Sequence, residues 1–346
     1  MKTKIAINGF GRIGRIFFRI AHAHPELDIV AINDLSEPEN LAYLLKYDSV
    51  YGKADFDISI KREKTRAVMM AGKKAVLVLN EKDPAHLPWK ALDIDIVVEA
   101  TGVFETFEKS QAHLRAGAKR VVITAPVKDE PIGGIEGATV LVGVNEERLK
   151  VCDISSNASC TTNAASPLIA ILHEKIGIKK AVLNTVHGYT ASQALVDGPS
   201  PKDFRRGRAA AHNIVPSTTG AATAVTKAFP KLKGLFDGVA MRVPTIAGSI
   251  VDVTFLAKRK TTAREVNALL IEAAKEERWK KVFAVTDEPL VSSDIVGSHY
   301  ASIVDPEYTT VVDGDLVKVL AWYDNEMGYV YSLLEHVLAS GRHIKK

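Results

Sequence analysis

Residues suited to nucleophilic chemistry occur at positions 156–163, where the sequence reads SNASCTTN. The apolar run 151–154 before them is typical of a strand, and the apolar density of residues 164–172 after them is typical of a buried helix. Cys160 would then lie where a strand turns into a helix, near free N–H groups at the positive end of the helix dipole. That environment favours the thiolate, which is the nucleophilic form of cysteine. The alternative interpretation is a helix cap that contains a buried cysteine.

A glycine-rich motif, GFGRIG, occupies residues 9–14. It follows a strand-like run at 4–8 and opens an amphipathic segment at 15–24, and Asp34 ends the next strand-like run. In this strand–turn–helix–strand context the GxGxxG pattern predicts a dinucleotide site. The alternative is a glycine turn that only eases packing.

Each glycine of the motif has a separate task in such a site. Gly9 permits the turn, Gly11 lets the backbone approach a pyrophosphate, and Gly14 lets the helix pack closely on the strand. The N-terminus of the helix binds the anion. The Asp34 carboxylate would accept hydrogen bonds from ribose hydroxyls and repel a 2′-phosphate, which favours NAD over NADP.

A further anion site is predicted where STTG at residues 217–220 opens a helical segment at 221–228, because hydroxyls and free N–H groups meet there. Residues 192–216 between these motifs show no clean periodicity and carry several arginines. A long structureless loop inside a compact domain is usually functional. The alternative is a solvated basic loop.

The predicted elements position these motifs in two domains of an α/β chain. Strands predicted at 75–79, 94–98 and 120–124 extend the N-terminal pattern into a Rossmann-type domain, and residues 53–74 form a meander insertion. In an open sheet of this kind the C-terminal ends of the strands line the ligand crevice.

Alternation at 180–186, 236–242, 249–256 and 316–323 predicts a second, α+β domain with a mostly antiparallel sheet and one helical face. Thr262 and Glu265 predict a capping box for a helix, and the last helix is predicted to end at Gly341. We expect an NAD-binding domain at 1–158, with helix 325–346 packing back on it, and a catalytic domain at 159–324.

Composition excludes several classes of function. The length of 346 residues and 47% apolar content suit two cores, and a net charge of +4 makes no strong demand for nucleic acid. We expect no membrane span, no signal peptide and no dedicated nucleic-acid site. The two cysteines, Cys152 in the strand-like run and Cys160, form neither a disulfide framework nor a metal site. A cytoplasmic location follows as an expectation.

Five segments carry a resemblance to a known family. They are SNASCTTN at 156–163, HGYTA at 187–191, STTGAA at 217–222, MRVPT at 241–245 and WYDNEMGY at 322–329. In this order and spacing they resemble the phosphorylating glyceraldehyde-3-phosphate dehydrogenases over essentially the whole chain. The resemblance implies NAD-dependent oxidation of glyceraldehyde 3-phosphate to 1,3-bisphosphoglycerate through a hemithioacetal and a thioester.

The resemblance also implies roles for individual residues. Cys160 would be the nucleophile and His187 its base, a pairing that lowers the pKa of the thiol. Thr190 and Arg242 would hold the phosphate of the substrate. The attacking inorganic phosphate would be held by Ser159, Thr161, Thr219, Gly220 and Arg206.

The implied cofactor residues are Gly9, Gly11, Arg12, Ile13, Gly14, Asp34, Lys82, Thr101, Gly102, Thr124, Asn325 and Tyr329. Asn325 resembles the residue that binds the carboxamide and fixes the nicotinamide face. The sequence departs from the family at two places: Lys82 stands where arginine is often found near the adenine, and Ala164 stands where a second cysteine is common.

The resemblance further implies a homotetramer in which the loop 192–216 reaches the cofactor of a neighbouring subunit. One alternative is erythrose-4-phosphate dehydrogenase, although that enzyme usually lacks the threonine at Thr190 and the TTG pattern at 218–220. An NADP-using relative would lose Asp34. A homologue that binds without catalysing is the alternative from another class.

Overall fold

The computed structural model describes residues 2–63, 66–201 and 203–344, and these form two compact units. The first unit comprises Met1–Val140, Asn145–Ala158 and Leu333–Lys346. The second unit comprises Leu141–Val144 and Ser159–Ser332.

The first unit contains eleven described strands and four α-helices. The strands are β1 (Thr3–Asn8), β2 (Leu27–Asn33), β3 (Tyr47–Asp48), β4 (Gly52–Lys53), β5 (Ile58–Glu63), β6 (Arg66–Ala71), β7 (Lys74–Leu79), β8 (Ile96–Glu99), β9 (Arg120–Ile123), β10 (Gly137–Thr139) and β11 (Ile154–Ser156). The helices are α1 (Arg12–Ala21), α2 (Pro38–Lys46), α3 (Trp89–Leu92) and α4 (Phe107–Arg115).

Nine of these strands form one sheet in the order β10-β11-β9-β8-β1-β2-β7-β6-β5. Neighbours from β10 to β7 are parallel, and the β5–β6 and β6–β7 pairs are antiparallel. The middle residues of the central strand β1 are apolar and buried, as expected where both faces of a parallel sheet are covered: Ile5, Ala6 and Ile7 are fully buried. The Rossmann-type prediction is confirmed, and the antiparallel end is the meander predicted within 53–74.

The described part of the second unit contains seven strands, three complete α-helices, the first of which carries the cysteine motif, and the start of a fourth. Its elements are α5 (Cys160–Lys175), β12 (Ile178–Gly188), β13 (Val215–Thr218), α6 (Ala221–Ala228), β14 (Phe236–Val243), β15 (Ser249–Ala257), α7 (Ala263–Ala273), β16 (Phe283–Val285), β17 (Ser302–Val312) and β18 (Leu316–Tyr323). Helix α8 (Met327–Arg342) begins in this unit, and its residues from Leu333 belong to the first.

The sheet of the second unit has the order β13-β14-β12-β15-β18-β17-β16. The β12–β14 and β16–β17 pairs are parallel and the other pairs are antiparallel, so the prediction of a mostly antiparallel sheet is confirmed. Helix α5 packs on this sheet and against α6 and α7, and all of its residues from Thr161 to Leu172 are buried. On the sheet, Val182 and Val239 are 60% and 46% exposed.

The strand predicted over 151–154 is wrong in its bounds. Strand β11 begins only at Ile154, and Cys152 lies in the turn after a 3-10 helix at Glu146–Lys150, where its N–H donates to the carbonyl of Arg148. The side chain of Cys152 is nevertheless buried, at 2% exposure.

The predicted end of the last helix is also wrong. Helix α8 continues through Gly341 to Arg342, and Asn325 precedes its first turn. A Cβ atom at position 341 would lie 2.8 Å from the Thr3 hydroxyl, so this glycine serves close packing and not termination. Residues 345 and 346 of the predicted segment lie outside the described residues.

The loop 192–216 has more structure than the sequence indicates. It contains a 3-10 helix at Phe204–Gly207, and its last residues belong to β13. The Asp197 carboxylate accepts hydrogen bonds from the backbone of Ala209 and the side chain of Arg208. The loop is therefore closed by its own hydrogen bonds; residue 202 lies outside the described part of the chain.

One of the two hydrogen bonds of the predicted capping box is present. Thr262 caps α7 by accepting from the Glu265 N–H, as predicted, but the Glu265 carboxylate accepts from Thr261 and Arg259. In the described part of the chain no helix is long and apolar enough to span a membrane. Nor do three or more metal-ligating His, Cys, Asp or Glu side chains gather anywhere among residues 2–63, 66–201 and 203–344.

Candidate functional site

The N-terminus of α5 holds Cys160 in the second unit. Ser159 is the N-cap, and its hydroxyl accepts from the Thr162 N–H at 3.1 Å. Pro167 inside the helix cannot donate to the Asn163 carbonyl, and the Ser166 hydroxyl lies 3.5 Å from that oxygen. The cap leaves Cys160 as the first helical residue.

His187 faces this cysteine from the end of β12. Its Nε2 lies 3.3 Å from Cys160 Sγ, and its Nδ1 lies 2.6 Å from the carbonyl oxygen of Gly188. Parallel register places Arg242 of β14 directly beside His187, with Nη1 2.6 Å from Nδ1 and 3.2 Å from the Gly188 oxygen. The structure thus brings the predicted pair together and adds Arg242 to it.

The electrostatics of the pair differ from the prediction. Burial raises the pKa of the Cys160 thiol, although the Arg242 charge and hydrogen bonds from Thr161 oppose the shift. Burial, followed by the charge of Arg242, lowers the pKa of His187 to about 3. The predicted lowering of the thiol pKa is therefore wrong, because desolvation outweighs the helix N-terminus. Burial therefore disfavours the charged form of each group.

Tyr323 lies behind the pair and was missed by the sequence analysis. Its hydroxyl forms hydrogen bonds with the hydroxyls of Thr161 and Thr185 at 2.9 and 2.8 Å, and its ring meets the His187 ring edge-on at 5.9 Å. Burial raises the pKa of Tyr323. The alternation at 316–323 predicted the strand β18 but no role for this side chain.

Two residues predicted for different phosphates contact the same hydroxyl. The Thr190 and Ser192 hydroxyls are 3.0 Å apart, and Arg206 Nη1 lies 3.5 Å from that of Ser192. Arg206 also acts electrostatically on Arg242, so these cationic and hydroxyl groups share one region of the unit. Ser192 was missed because a serine in an irregular loop gives no sequence signal.

The other predicted anion-binding segment begins α6. The Thr219 hydroxyl accepts from the Ala221 N–H at 3.2 Å, and Gly220 is the exposed N-cap. A Cβ atom on Gly220 would meet nothing within 4 Å. A helix start with open space beside it suits an anion.

Asn325 is oriented by a second missed residue, Ser249. The Ser249 hydroxyl accepts from the Gly188 N–H at 3.1 Å and therefore donates to Asn325 Oδ1 at 2.9 Å. This fixes the amide of Asn325 with its Nδ2 turned away from Ser249. Tyr329, predicted with it, is buried at 3% exposure in α8.

In the first unit, the glycine turn has the three properties that its motif predicts. Gly9 has φ +91, and a Cβ there would lie 2.6 Å from the Thr101 nitrogen. A Cβ on Gly14 would lie 2.2 Å from the Gly9 oxygen, whereas one on Gly11 would meet nothing within 4 Å. The turn is packed on its inner side and open at Gly11, which fits a pyrophosphate.

Charged groups surround this turn. Asp34 Oδ2 accepts from the Phe10 N–H at 2.8 Å and Oδ1 accepts from the Ser36 N–H at 2.9 Å. Arg12 forms an ion pair with Asp48 at 2.6 Å, and Ile13 beside it is half-buried. Asp34 is therefore held against the glycine turn by its hydrogen bond with Phe10, next to the site of the dinucleotide that it was predicted to recognise.

The remaining cofactor candidates lie at strand ends or on the surface. Thr101 donates from its N–H and hydroxyl to Glu99, and Gly102 has φ +70. Thr124 follows β9, and its N–H donates to the Glu99 carbonyl at 3.0 Å. Lys82 is exposed after β7. Thr101, Gly102 and Thr124 therefore follow the C-terminal ends of β8 and β9, as predicted.

Comparisons with known proteins match both units. A family model described as glyceraldehyde 3-phosphate dehydrogenase, NAD binding domain, matches residues 3–107, and one described as the C-terminal domain of the same enzyme matches residues 159–325.

Relatives match over nearly the full length. The glyceraldehyde-3-phosphate dehydrogenase of Thermotoga maritima is 50% identical over 330 residues, covering 94% of this chain and 96% of that protein. That of Geobacillus stearothermophilus is 46% identical over 337 residues, covering 97% of each. With its thiol–imidazole pair, its glycine turn and these relatives, the chain belongs to the glyceraldehyde-3-phosphate dehydrogenase family.

Proposed function

We propose that this chain oxidises glyceraldehyde 3-phosphate with NAD and inorganic phosphate to 1,3-bisphosphoglycerate, with Cys160 as nucleophile. The observation that carries the proposal is that His187 contacts Cys160 through one ring nitrogen and Arg242 through the other in the second unit. These contacts join a thiol, a base within reach of that thiol and a cation suited to a phosphate. The erythrose-4-phosphate alternative is not favoured, because the relatives named above are glyceraldehyde-3-phosphate dehydrogenases.

The first step is attack of the Cys160 sulfur on the aldehyde carbon. Because burial favours the neutral thiol, its proton must leave as the C–S bond forms, and His187 Nε2 is 3.3 Å away to receive it. A substrate phosphate at Arg242 would neutralise one of the two causes that lower the pKa of His187 and so make the imidazole a better base. That role requires the tautomer with a proton on Nδ1, which donates to the Gly188 oxygen. The product is a hemithioacetal.

Arg242 is the proposed partner of the substrate phosphate. Its Nη1 lies 2.6 Å from His187 Nδ1, a contact that cannot be a hydrogen bond once Nδ1 carries a proton. Donation to a phosphate ester would relieve this contact and neutralise a half-buried guanidinium. Thr190 would add a hydroxyl donor.

NAD, when bound, supplies the acceptor for the hydride that leaves the hemithioacetal carbon. The chain's own contribution is binding and orientation: the open side of the turn at Gly11 suits the pyrophosphate, and Asp34 suits unphosphorylated ribose. Asn325, fixed by Ser249, would hold the carboxamide through Nδ2. The developing oxyanion would be held by His187 and the Cys160 N–H.

The thioester left on Cys160 is then cleaved by inorganic phosphate. The residues proposed to hold this phosphate are Thr219 and Gly220 at the start of α6, together with Ser159, Thr161 and Arg206. Attack by phosphate in place of water retains the thioester energy as an acyl phosphate.

A homotetramer in which the loop 192–216 meets a neighbouring subunit is part of the proposal. The loop exposes Leu195, Val196, Phe204 and Ile214 by 70–87%, and exposed apolar groups of this kind mark interaction surfaces. Light scattering tests the tetramer: a fully active monomer at micromolar concentration would contradict it.

The domain boundary between 158 and 159 and a cytoplasmic location remain predictions, and cell fractionation tests the location.

The function is tested by following NADH absorbance with glyceraldehyde 3-phosphate. We expect sustained turnover only with inorganic phosphate, and without it a burst that stops at about one NADH per chain because the thioester persists. Erythrose 4-phosphate serves as the matched control substrate. Sustained turnover without phosphate, or preference for erythrose 4-phosphate, would overturn the proposal.

A further inference from the structure

A row of buried polar side chains crosses the ends of three neighbouring strands in the first unit. Asn8 is the last residue of β1, Asn33 of β2 and Glu99 of β8. Parallel register pairs Asn8 with Asn33 on one side and with Glu99 on the other. The three side chains are 2%, 4% and 2% exposed. Polar groups this deeply buried need an explanation.

Trp89 fixes the direction of the hydrogen bonds in the row. Its indole N–H can only donate, and it lies 3.0 Å from His113 Nδ1. Neutral His113 therefore carries its proton on Nε2, which donates to Glu99 Oε2 at 3.0 Å. Asn8 Nδ2 donates to the same oxygen at 2.6 Å, and Asn8 Oδ1 accepts from Asn33 Nδ2 at 2.7 Å.

The residues at both ends of the row form hydrogen bonds with backbone groups outside the strands. Glu99 Oε1 accepts from the N–H of Thr101 at 2.8 Å and from its hydroxyl. Asn33 Oδ1 accepts from the Glu81 N–H at 2.9 Å, while Nδ2 donates to the Glu81 oxygen at 2.9 Å. Glu99 thus accepts from four donors, and each amide of the row has a single consistent orientation.

Each residue of the row lies next to a segment that the proposed function assigns to NAD. Asn8 precedes the turn 9–14, Asn33 precedes Asp34, and Glu99 precedes the segment 100–102. None of the three is itself part of the motif that predicts the cofactor. The row therefore connects three cofactor segments that are far apart in sequence.

We propose that Asn8, Asn33 and Glu99 are positioning residues that hold the three cofactor segments in their binding geometry before NAD arrives. The inference rests on the proposed NAD-dependent function. A buried carboxylate is a weak source of stability, since apolar residues of similar volume often serve as well, but its fixed hydrogen bonds define geometry. Segments that are already ordered lose less conformational freedom on binding, which strengthens affinity.

The variant Glu99→Gln tests the role with little change in shape. Whichever way the amide is turned, its NH₂ group faces N–H donors, so at least one of them loses its acceptor. We expect the Kd for NAD, measured by calorimetry on cofactor-free protein, to rise about 10- to 100-fold, the scale of one or two unpaired buried donors. The KM for NAD should rise in parallel while kcat at saturating NAD stays near the wild-type value.

Ser155→Ala is the matched control, because Ser155 is equally buried in the same unit and its hydroxyl bonds to His336 outside the row. It should lower the melting temperature but leave the NAD affinity unchanged. If Glu99→Gln does not fold, Asn33→Ala is the second variant: it removes the donor to Asn8 and Glu81 and the acceptor of the Glu81 N–H at the edge of the row, and it should also weaken NAD binding.

Hydrogen exchange of cofactor-free protein separates this inference from the proposed function. In Glu99→Gln we expect faster exchange at residues 9–14 and 100–102 than in Ser155→Ala, even if the wild-type chain fails to bind NAD. Unchanged exchange in these segments, or wild-type NAD affinity in a destabilised Glu99→Gln, would overturn the positioning role. Failure of the wild type to bind NAD would instead overturn the proposed function.

Discussion

The turn 9–14 and the loop 192–216 are both predicted to meet phosphate groups, but they are built in different ways. The turn is fixed by backbone contacts at Gly9 and Gly14 and by the buried row below it. The loop is closed by hydrogen bonds from Asp197 and exposes large apolar side chains. A site fixed by backbone geometry leaves a short-range motif in the sequence. The loop leaves no such motif, because its closing hydrogen bonds join residues that are 11 and 12 positions apart.

The largest expected effect is on turnover, when the nucleophile Cys160 is replaced. Cys160→Ser should lower turnover by several orders of magnitude, because a serine hydroxyl is a much weaker nucleophile beside a neutral imidazole. NAD binding, a property of the turn, should stay near the wild-type value. Cys152→Ser is the matched control, since burial raises the pKa of Cys152 to about 11 and keeps it inert. Retained activity in Cys160→Ser would remove covalent catalysis.

Acid should weaken both units, because each contains a buried neutral histidine. Burial lowers the pKa of His187 and of His336 to about 3, against 6.5 when exposed. Below pH 6.5 the unfolded chain binds protons that the folded chain does not, so stability falls as the pH drops from about 6.5 towards 3. Between pH 7 and 5 each histidine should remove about 2 kcal/mol of unfolding free energy.

Urea unfolding at the two pH values measures this loss. His336→Gln should reduce the pH dependence by about the share of one histidine. An unfolding free energy that does not fall between pH 7 and 5 would show that the histidines are not buried in the neutral form.

Arg242→Ala separates the two proposed phosphate sites. The variant should lower kcat/KM for glyceraldehyde 3-phosphate by the equivalent of about 2–4 kcal/mol, the cost of deleting one partner of a buried charge pair. The loss for unphosphorylated glyceraldehyde should be smaller, because there only the contact of Arg242 with His187 is removed. Thr219→Ala is the contrast: its NADH burst should be normal and its phosphate-dependent step slow. In stopped flow, equal loss of the burst in both variants would merge the two sites into one.

Asp34→Asn should give the smallest effect. Removing the charge next to the turn should lower the ratio of kcat/KM with NAD to kcat/KM with NADP by about 10-fold, which corresponds to about 1.4 kcal/mol. Asp28→Asn, on the same strand β2, is the control and should not change the ratio. A wild-type chain that uses both cofactors equally would contradict the assignment of Asp34.

Local rules account for what the sequence could predict. Thr262 was identifiable as an N-cap, and the glycine turn by its spacing, because each depends on neighbours a few residues away. Ser249 was not identifiable, since its partners Gly188 and Asn325 lie on other elements, and Ser192 was not, since it lies in an irregular loop.

Two failures have the same cause. Gly341 was interpreted as the residue that ends the helix, but it is a glycine because Thr3, near the other end of the sequence, leaves no room for a Cβ atom. The pKa of Cys160 was predicted to fall, but burial among distant residues raises it. Tertiary contacts decided both, and no local pattern records them.

The central claim is that Cys160 carries the acyl group between oxidation and phosphate attack. The most direct measurement is rapid acid quenching after mixing the chain with NAD and glyceraldehyde 3-phosphate in the absence of inorganic phosphate, followed by peptide mass spectrometry. We predict one 3-phosphoglyceryl group per chain, on the peptide containing Cys160 and not on that of Cys152, discharged within one turnover when phosphate is added. An unmodified Cys160 during NADH formation, or a label that phosphate does not release, would contradict the account.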